Sequence, residues 1–552
     1  MEIQEIENST KSLIDSLKSA CGALGLGNSG DEYRIIVQMF LYKYFNDKFG
    51  YEAKKLSNKY GKRLANAEKW DAEYDKFSED EVEDLFSYLP EATPLLYPRH
   101  TLGHLFNAQQ QGGFADLLDA TLVEISNLNA DVFSMITDDQ SRVEVFQRFT
   151  DVVRDRGKRD EFAISLVQEL SNPKNNFEPI FSLKYDFFST MFEYLISDYN
   201  KDGGGKYAEY YTPKAVATIM ARMLVKDDEK LRGVSCYDPA SGTGTLLMAL
   251  AHQIGEKRCS IYSQDISQKS TDMLRLNLIL NNLVGSIPNV VQGNTLMNPA
   301  HKDSDGTLKK FNFIVSNPPF NLDFPGFRDT IAADKKRFWA GVPNIPKTID
   351  PKKPKMKIYL CFIQHMLNSL KDDGRGAIVV PTGFITSSQT IEQNILSKVV
   401  DEHVIYGCVS MPSNVFATTG TNVSIIFFDK RRKHDKVVLI DASKLGEDYK
   451  DGNNQRHRLR DFEVDQIVNT FREQKAIDDF SVVVDFDEIK AKKYSLSAGQ
   501  YFDVKIEHID ITAKEFKARV EDYKTKLSEQ FKMANKLDKE ILSNLDDLEF
   551  GK

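Results

Sequence analysis

The sequence predicts a Rossmann-like α/β fold with a doubly wound mixed sheet, preceded by a helical domain and followed by a long-helix region. Three observations predict this fold class. Short β-rich segments alternate with helical patterns in the middle of the chain, apolar residues keep a helical spacing before them, and a 3.5-residue apolar spacing follows them. Because 552 residues are too many for one hydrophobic core, we expect domains at residues 1–170, 171–445 and 446–552.

The first domain is predicted to be a helical bundle. Apolar residues recur at three- and four-residue steps from Leu13 to Leu24 and from Tyr33 to Phe45, and Asn28-Ser29-Gly30 separates the two patterns as a turn. A glycine-rich segment, Asp202–Gly205, has the composition of a flexible connector to the central domain.

The central domain carries seven predicted strands, with helical stretches such as residues 271–282 and 360–370 between them. In doubly wound sheets ligands bind beyond the carboxyl ends of the strands, so the residues that follow each strand are the candidates for a site. The predicted strands are Val234–Asp238, Ser260–Asp265, Asn289–Asn294, Phe311–Asn317, Ala377–Pro381, Val404–Met411 and Asn422–Phe428.

The last region is predicted to be one long helix that packs against other helices, either within the chain or in a partner. Gln530 and Asn544 interrupt its apolar seam. The seam consists of Phe516, Val520, Tyr523, Leu527, Ala534, Leu537, Ile541 and Leu548.

Composition excludes several classes of protein. No apolar run approaches the ~18–20 residues of a membrane helix, and the acidic N-terminus lacks the apolar core of a signal peptide. Five widely spaced cysteines without a Cys-x-x-Cys motif are typical of free thiols in a reducing cytoplasm. His100 and His104 stand four residues apart, but Pro98 and Gly103 disfavour a helix there, so no metal site is predicted.

The first chemical motif is Tyr237–Thr245, at the end of the first predicted strand. Gly242 and Gly244 allow a tight turn close to a ligand, and a helix beginning near Thr245 would point free N–H groups at it. The Gly-Lys-Ser/Thr ending of a P-loop is absent, so nothing indicates an ATPase motor. By itself the motif fits either a nucleotide loop or an ordinary strand-to-helix turn.

The second motif is Asp265, at the tip of the next predicted strand and about 20 residues beyond the glycines. A carboxylate at this place can accept hydrogen bonds from two ribose hydroxyls. It can equally well cap the helix that follows Ser267. The residue alone does not decide between these roles.

The third motif is Asn317-Pro318-Pro319-Phe320, directly after a predicted strand. The prolines stiffen the loop, which fixes two acceptors: the Asn317 side-chain carbonyl and the Pro318 backbone carbonyl. Two adjacent acceptors match the two hydrogens of a planar amino group and draw its nitrogen lone pair out of conjugation. Phe320 offers a face on which a base can stack. Alone this tetrapeptide is a turn in most proteins, but here it shares a predicted sheet with the glycine loop and Asp265.

These motifs, with Tyr210-Tyr211-Thr212-Pro213 before them, resemble in kind and order those of amino-group DNA methyltransferases. The chain is similar, over nearly its whole length, to the modification subunit of type I restriction-modification systems. The resemblance implies a Rossmann-like methyltransferase that transfers a methyl group from S-adenosylmethionine to N6 of a flipped adenine, in a prokaryotic cytoplasm. Further segments that carry it are Asp31–Phe49, Gly374–Pro381, Met411–Phe416, Tyr494–Leu496 and Tyr501.

The resemblance also assigns roles to residues. Ala208 stands where the family often has glycine, and Asn294 stands where it often has aspartate; an asparagine amide can bond the cofactor's adenine through its oxygen or its nitrogen. By this resemblance, the cofactor's methionine end would contact Ala208, Glu209, Tyr210, Tyr211, Thr212 and Pro213, and its backbone would contact Ser241, Gly242 and Thr243 within the Asp238–Gly244 loop. Its ribose would bind Asp265 and its adenine would bind Asn294. The target adenine would be held by Asn317, Pro318, Pro319 and Phe320.

The net charge of −9 argues against a chain that grips DNA alone. Residues 332–357 hold eight basic and two acidic residues, which fits either phosphate contacts beside the flipped base or a solvated insertion. The region beyond Lys430 is too short for a target-recognition domain beside the long helix, so we expect sequence recognition in a separate subunit. The resemblance implies assembly on double-stranded DNA with a specificity subunit, a second modification subunit and, in the full complex, a restriction and translocase subunit.

Two other functions fit part of the sequence. An Asn-Pro-Pro motif with an aromatic residue also serves enzymes that methylate a protein glutamine amide, because an amide nitrogen resembles an adenine amino group. Those enzymes are shorter and lack the helical regions at both ends. The second alternative is a catalytically silent assembly scaffold, against which the intact Asn317–Phe320 and glycine motifs argue.

Overall fold

The computed structural model describes residues 3–27, 29–137, 139–182, 194, 212–227, 229–322, 325–344, 356–416, 422–431, 434–451, 454–502 and 512–546. The chain divides into two compact units, residues 1–501 and 502–552. No helix in these described ranges has the length and apolar character needed to cross a membrane.

The first unit is built around one large mixed sheet, which confirms the predicted α/β fold class. Its strand order is β13-β10-β8-β9-β7-β6-β3-β4-β5-β1-β2, and β11 and β12 form a separate hairpin. The strands are β1 (Met135–Thr137), β2 (Arg142–Val143), β3 (Val234–Asp238), β4 (Cys259–Asp265), β5 (Val290–Gln292), β6 (Phe311–Ser316), β7 (Leu370–Pro381), β8 (Ile405–Ser410), β9 (Val423–Asp429), β10 (Lys436–Asp441), β11 (Glu447–Asp451), β12 (Asn454–Arg458) and β13 (Ser481–Asp485).

Helices precede, connect and follow these strands. In chain order they are α1 (Ile3–Gly22), α2 (Gly30–Lys55), α3 (Lys59–Ala65), α4 (Trp70–Tyr74), α5 (Glu79–Tyr88), α6 (Leu102–Ala108), α7 (Phe114–Leu128), α8 (Ala130–Phe133), α9 (Arg156–Ser171), α10 (Lys214–Leu224), α11 (Thr245–Ile254), α12 (Gln268–Leu280), α13 (Arg328–Ala333), α14 (Tyr359–Ser369), α15 (Thr390–Asp401), α16 (Asp461–Arg472), α17 (Phe486–Ala491) and α18 (Ala513–Asp546).

The order of the central strands creates a topological switch point between β3 and β6. From β3 the chain moves through α11 and α12 to β4 and β5 on one side, whereas β6 and β7 lie on the other side. These five strands are parallel, and β9 runs antiparallel between β7 and β8. Because ligands of doubly wound sheets bind where the strand order reverses, the loops after β3 and β6 are the expected site.

The N-terminal helices are joined to the sheet. Helix α2 begins at the N-cap Ser29, whose hydroxyl accepts from the Glu32 N–H, and it buries residues on all its faces. Strand β1 extends the sheet by pairing in parallel with β5. The Arg275 guanidinium on α12 donates to the Val143 carbonyl at 3.1 Å and the Glu144 carbonyl at 2.9 Å. The helical prediction for this region is confirmed, with β1 and β2 as additions that the sequence pattern did not indicate.

Residues 446–501, which the sequence analysis grouped with the C-terminal helix, belong to the first unit. They form the hairpin β11–β12, helix α16, strand β13 and helix α17. Strand β13 pairs antiparallel with β10 at one end of the large sheet. The domain limits near residues 170 and 445 remain predictions.

The second unit consists, in its described part, of the 34-residue helix α18. At 1.5 Å per residue this helix is about 50 Å long. Its side-chain ion pairs are local, as between Lys526 and Asp522 at 2.7 Å. The predicted seam residues Phe516, Tyr523 and Leu527 are 57%, 61% and 52% exposed.

Candidate active site

The glycine loop follows β3 and turns directly into α11. Gly244 is the N-cap of that helix and has φ +85°, a conformation that side-chain-bearing residues rarely adopt. A Cβ at this position would also lie 2.1 Å from the Leu274 Cδ1 atom. The Asn277 amide on α12 donates to the Thr243 carbonyl at 3.2 Å and holds the loop from behind. The loop therefore needs glycine at residue 244 for both its conformation and its packing.

Asp265 ends β4 and fixes the glycine loop through its carboxylate. One carboxylate oxygen accepts from the Gly242 N–H at 2.8 Å, and the other accepts from the Ser267 N–H at 2.9 Å. Burial raises the pKa of Asp265, and these two N–H donors oppose that rise. Each carboxylate oxygen has a second lone pair, so Asp265 can brace the loop and still accept from a ligand.

A second buried carboxylate connects the glycine loop to the strand beside it. Asp238 Oδ1 accepts from the Ala240 N–H at 2.9 Å and from the Ser316 hydroxyl at 2.8 Å. Burial raises the pKa of Asp238 to about 7, and the nearby charge of Asp265 adds to the rise. Since Ser316 is the last residue of β6, this bond couples the end of β3 to the start of the Asn317–Phe320 motif.

The Asn317–Phe320 motif leaves β6 at the switch point. The Asn317 Nδ2 group donates to the Thr212 hydroxyl at 3.1 Å, which leaves the side-chain oxygen of Asn317 without a partner among the described residues. The Phe320 ring meets the Tyr359 ring edge-on, with ring centroids 6.3 Å apart. The motif is therefore held on both sides of Asn317, by Ser316 and by Thr212.

Asn294 follows β5 and caps the turn behind it. Its Oδ1 atom accepts from the Leu296 N–H at 3.1 Å and the Met297 N–H at 3.2 Å. Both partners are donors, so the amide must present its oxygen to them and its Nδ2 group in the other direction. Of the two possibilities that the sequence leaves open, this geometry favours a bond from the nitrogen to a ligand.

One cavity of about 530 Å³ gathers most of the predicted site residues. The Ser241 hydroxyl is buried at its wall and has no hydrogen-bond partner among the described residues. Gly244 and Pro213 do not line this cavity, and Ala208, Glu209, Tyr210 and Tyr211 lie outside the described residues. The predicted residues that line it are Thr212, Asp238, Ser241, Gly242, Thr243, Asp265, Asn294, Asn317, Pro318, Pro319 and Phe320.

Several lining residues are absent from the sequence prediction. Ile266 is 66% exposed although it is large and apolar, and it stands beside Asp265 in the wall. An apolar residue directly after a carboxylate at the end of a strand is a local sequence pattern that could have identified Ile266 as a site residue. Phe362 on α14 and Phe416 after β8 also line the cavity. The neighbours of Phe362 in sequence are equally apolar and buried, so no local pattern distinguishes it.

The basic segment 332–357 is only partly available to a ligand. The Arg337 guanidinium is buried and donates to the Thr295 carbonyl at 3.4 Å and the Leu296 carbonyl at 2.5 Å. Lys357 donates to the Glu392 carboxylate at 2.7 Å. Lys335 and Lys336 are exposed, while Lys347, Lys352, Lys353 and Lys355 lie outside the described residues. Arg337 therefore supports the cavity wall rather than meeting phosphates.

Taken together, the sheet order and the loops at its switch point are those of a Rossmann-like methyltransferase. The sequence profile of the N-6 DNA Methylase family matches residues 183–509, more than half of the chain. The chain belongs to this family.

Relatives of the chain carry names from restriction systems. A Mycoplasma pneumoniae protein named type I restriction enzyme MpnII methylase subunit is 29% identical over 60% of this chain and 59% of its own length. The MjaIX methylase subunit of Methanocaldococcus jannaschii is 26% identical over 65% of this chain and 63% of its own. The HindI methylase subunit of Haemophilus influenzae is 25% identical over 76% of this chain and 92% of its own. The first two matches thus span less than two thirds of those relatives.

Solved structures show the same fold. The methyltransferase subunit of a type I restriction-modification system from Streptococcus thermophilus superposes with a TM-score of 0.69 at 22% identity, covering 91% of this chain and all of the other. A modification subunit of a putative type I restriction enzyme from Vibrio vulnificus gives a TM-score of 0.50 at 18% identity, covering 88% and 93%.

Proposed function

We propose that the chain transfers a methyl group from S-adenosylmethionine to N6 of adenine in DNA, as the modification subunit of a type I restriction-modification complex. One observation carries this proposal. Asp265 and the glycine loop share a single cavity with Asn317 and Phe320, so a cofactor and an amino group are brought together at the switch point of the sheet.

The cavity has the groups that the cofactor needs. Asp265 has lone pairs for two ribose hydroxyls. The Ser241 hydroxyl, which has no partner in the described part of the chain, is available to a polar group of the cofactor. Asn294 presents an amide nitrogen that donates to an acceptor on the cofactor's base. When bound, S-adenosylmethionine supplies an activated methyl group on a positively charged sulfur.

The Asn317 motif holds the accepting nitrogen. The Asn317 side-chain oxygen and the Pro318 carbonyl accept the two amino hydrogens of adenine, which keeps the nitrogen lone pair directed at the methyl group. The amino nitrogen becomes acidic only once it has accepted the methyl group and would then lose its proton to water, so no base is required beforehand. Consistent with this, no histidine is among the described residues that line the cavity.

The target must leave the DNA duplex to reach this cavity. A base paired inside a duplex is inaccessible, and extrusion costs a few kcal/mol. Phe320, half-buried and set edge-on against Tyr359, offers a ring face that recovers part of this cost by stacking.

Partners of this chain are inferred from helix α18 and from the acidic charge. An apolar seam that extends from Phe516 to Ile541, about 38 Å along the helix, and is largely exposed is typical of a surface that another helix covers. We propose that the helix covering this seam belongs to a specificity subunit, which would also recognise the DNA sequence. A second modification subunit and a restriction subunit would complete the complex on double-stranded DNA. The net charge of −9 fits a chain that relies on partners for DNA affinity.

The substitution Asn317→Ala tests the proposal. We expect it to abolish N6-methyladenine in genomic DNA, measured by mass spectrometry of nucleosides, while the affinity for S-adenosylhomocysteine stays within about threefold, because the cofactor contacts lie elsewhere in the cavity. Asn394→Ala, an exposed substitution on α15, is the matched control and should leave both unchanged.

Four outcomes would contradict parts of the proposal. Unchanged N6-methyladenine would exclude the assigned reaction, and methylated protein glutamine instead of adenine would replace it. Joint loss of methylation and cofactor binding would give Asn317 a structural role. Sequence-specific methylation by the isolated chain would remove the need for a specificity subunit.

A further inference from the structure

Thr212 contacts the side chain on which the proposed reaction depends. It stands 105 residues before Asn317 in the chain, yet its Oγ1 atom lies 3.1 Å from Asn317 Nδ2. Thr212 is 6% exposed and lines the same cavity. The contact is therefore a long-range hydrogen bond inside the site.

The backbone around Thr212 makes this contact stiff. Pro213 follows it, and a residue before proline is restricted to extended conformations. Pro213 is also the N-cap of α10, whose residues Val216, Ala217 and Met220 are buried in the core. On the other side of the contact, Ser316 is tied to the buried Asp238. Neither end of the hydrogen bond can move far without disturbing packed structure.

In this structure the Asn317 amide turns its nitrogen toward the Thr212 hydroxyl. An asparagine amide has an oxygen that accepts and a nitrogen that donates at nearly the same size. If the nitrogen faced the target, two donors would meet and the amino group would be repelled. Because the nitrogen is bonded to Thr212, the oxygen is the atom left for the target.

We propose that Thr212 is a positioning residue for Asn317, whose hydroxyl holds the amide nitrogen and so keeps the Asn317 oxygen directed at the amino group of the target base. This inference rests on the proposed function. It adds a role for Thr212 that is separate from cofactor binding and predicts an effect on the methyl-transfer rate itself.

The test compares Thr212→Val with Thr212→Ser in the complex isolated from its own host. The probes are tritiated S-adenosylmethionine at saturating concentration and genomic DNA from a strain that lacks the gene. Valine matches threonine in shape but has no hydroxyl, so the methylation rate should fall about tenfold or more. Serine keeps the hydroxyl and should stay within about threefold of wild type. Thr212→Ala, which removes the hydroxyl without a new methyl group in its place, should repeat the loss seen with valine.

The outcomes separate this inference from the proposed function. A wild-type complex that methylates no adenine would overturn the proposed function and this inference with it. With an active wild type, an unchanged rate in Thr212→Val at saturating cofactor, or an equal loss in Thr212→Ser, would overturn the positioning role alone. A weaker cofactor affinity with an unchanged saturated rate would do the same, because it would make Thr212 a cofactor contact only.

Discussion

At the scale of single residues, the site depends on two buried carboxylates that pair with no cationic side chain among the described residues. Asp238 is 1% exposed and Asp265 is 7% exposed, and both are held by N–H or O–H donors. Such burial disfavours the charged form, which is why both pKa values are raised. The free-energy cost of burying these two charges arises at the proposed site, where a ligand's hydroxyl groups would offset it by donating hydrogen bonds to the carboxylates.

The raised pKa of Asp238 predicts a pH-dependent stability of the cofactor-free chain. The folded chain binds this proton more tightly than the unfolded chain. Protonation of Asp238 therefore stabilises the folded chain fully below about pH 4, and this stabilisation is lost as pH rises through about 7. Asp238→Asn removes the titration. The stability of this variant relative to wild type should therefore rise with pH, by at most about 1.4 kcal/mol per unit between pH 5 and 7.

Thermal denaturation across this pH range measures the effect. Asp329→Asn, at a side chain that is 93% exposed, is the control. A constant difference for Asp238→Asn would show that Asp238 is not buried in a raised-pKa environment.

Ile266 gives a second prediction at this scale. Its side chain is exposed in the cavity wall next to Asp265, where a bound purine would cover it. Ile266→Ala should weaken S-adenosylhomocysteine binding about tenfold by calorimetric titration, because less apolar surface is removed from water. Tyr88→Ala, at an exposed residue that does not line the cavity, should leave the affinity unchanged. An unchanged affinity in Ile266→Ala would place the ligand's base elsewhere.

At the scale of elements, the loop after β6 is supported by the turn after β5. Arg337 bonds the carbonyls of Thr295 and Leu296 and lies near Asp334, with Nε and Oδ2 3.1 Å apart. A basic residue in a net-positive segment thus serves packing, and its burial lowers its pKa. The neighbouring Lys335 and Lys336 remain exposed to a phosphate.

Arg337→Met should destabilise the chain, since it leaves two buried carbonyls without donors. We expect a loss of about 2 kcal/mol in the free energy of unfolding by urea denaturation, at the middle of the range for orphaned polar groups. Lys336→Met, at an exposed position, should change stability by less than about 0.5 kcal/mol. Equal effects of the two substitutions would show that the Arg337 contacts contribute little.

The seven strands predicted from β-rich runs all exist, with ends that differ by a few residues or less except at β7, which begins at Leu370 instead of Ala377. Their runs are apolar and follow glycine, proline or polar breaks, which is the pattern of buried parallel strands. Strand β10 has the same apolar character in Val437–Ile440, but it is not among the strands that the sequence analysis predicted. Strands β1 and β2 have two or three residues, too few for any periodicity.

The parts of the candidate site that consist of residues close together in the sequence could be predicted. Asn317–Phe320 and the glycine loop are contiguous motifs, and Asp265 stands at a fixed distance from them. Contacts across the chain were not predictable, because the hydrogen bond from Asn317 to Thr212 and that from Ser316 to Asp238 exist only once the sheet is assembled. Phe362 was not predictable from the sequence either, because nearly all of α14 is buried and no residue of the helix stands out.

At the scale of the whole molecule, the chain combines a unit that holds the candidate active site with a separate helical unit whose apolar seam is exposed. A buried cavity with intact acceptors is what a transferase requires, and the exposed seam is what a subunit requires. The two features lie in different units.

This separation predicts the effect of charging the seam. Leu527→Glu combined with Ile541→Glu should prevent co-purification with the specificity subunit, because two charges would be buried in the helix contact. Cofactor affinity of the chain alone should be unchanged. Glu529→Lys, on the same helix but outside the seam, is the control. Continued co-purification of the double variant would move the interface away from α18.

The account depends most on where the cofactor lies, and a crystal structure of the chain with sinefungin measures this directly. We expect its ribose on Asp265 and its amino group, which replaces the transferred methyl, facing Asn317 and the Pro318 carbonyl across the space for one base. Sinefungin bound outside this cavity, or inside it with that amino group turned away from Asn317, would contradict the account.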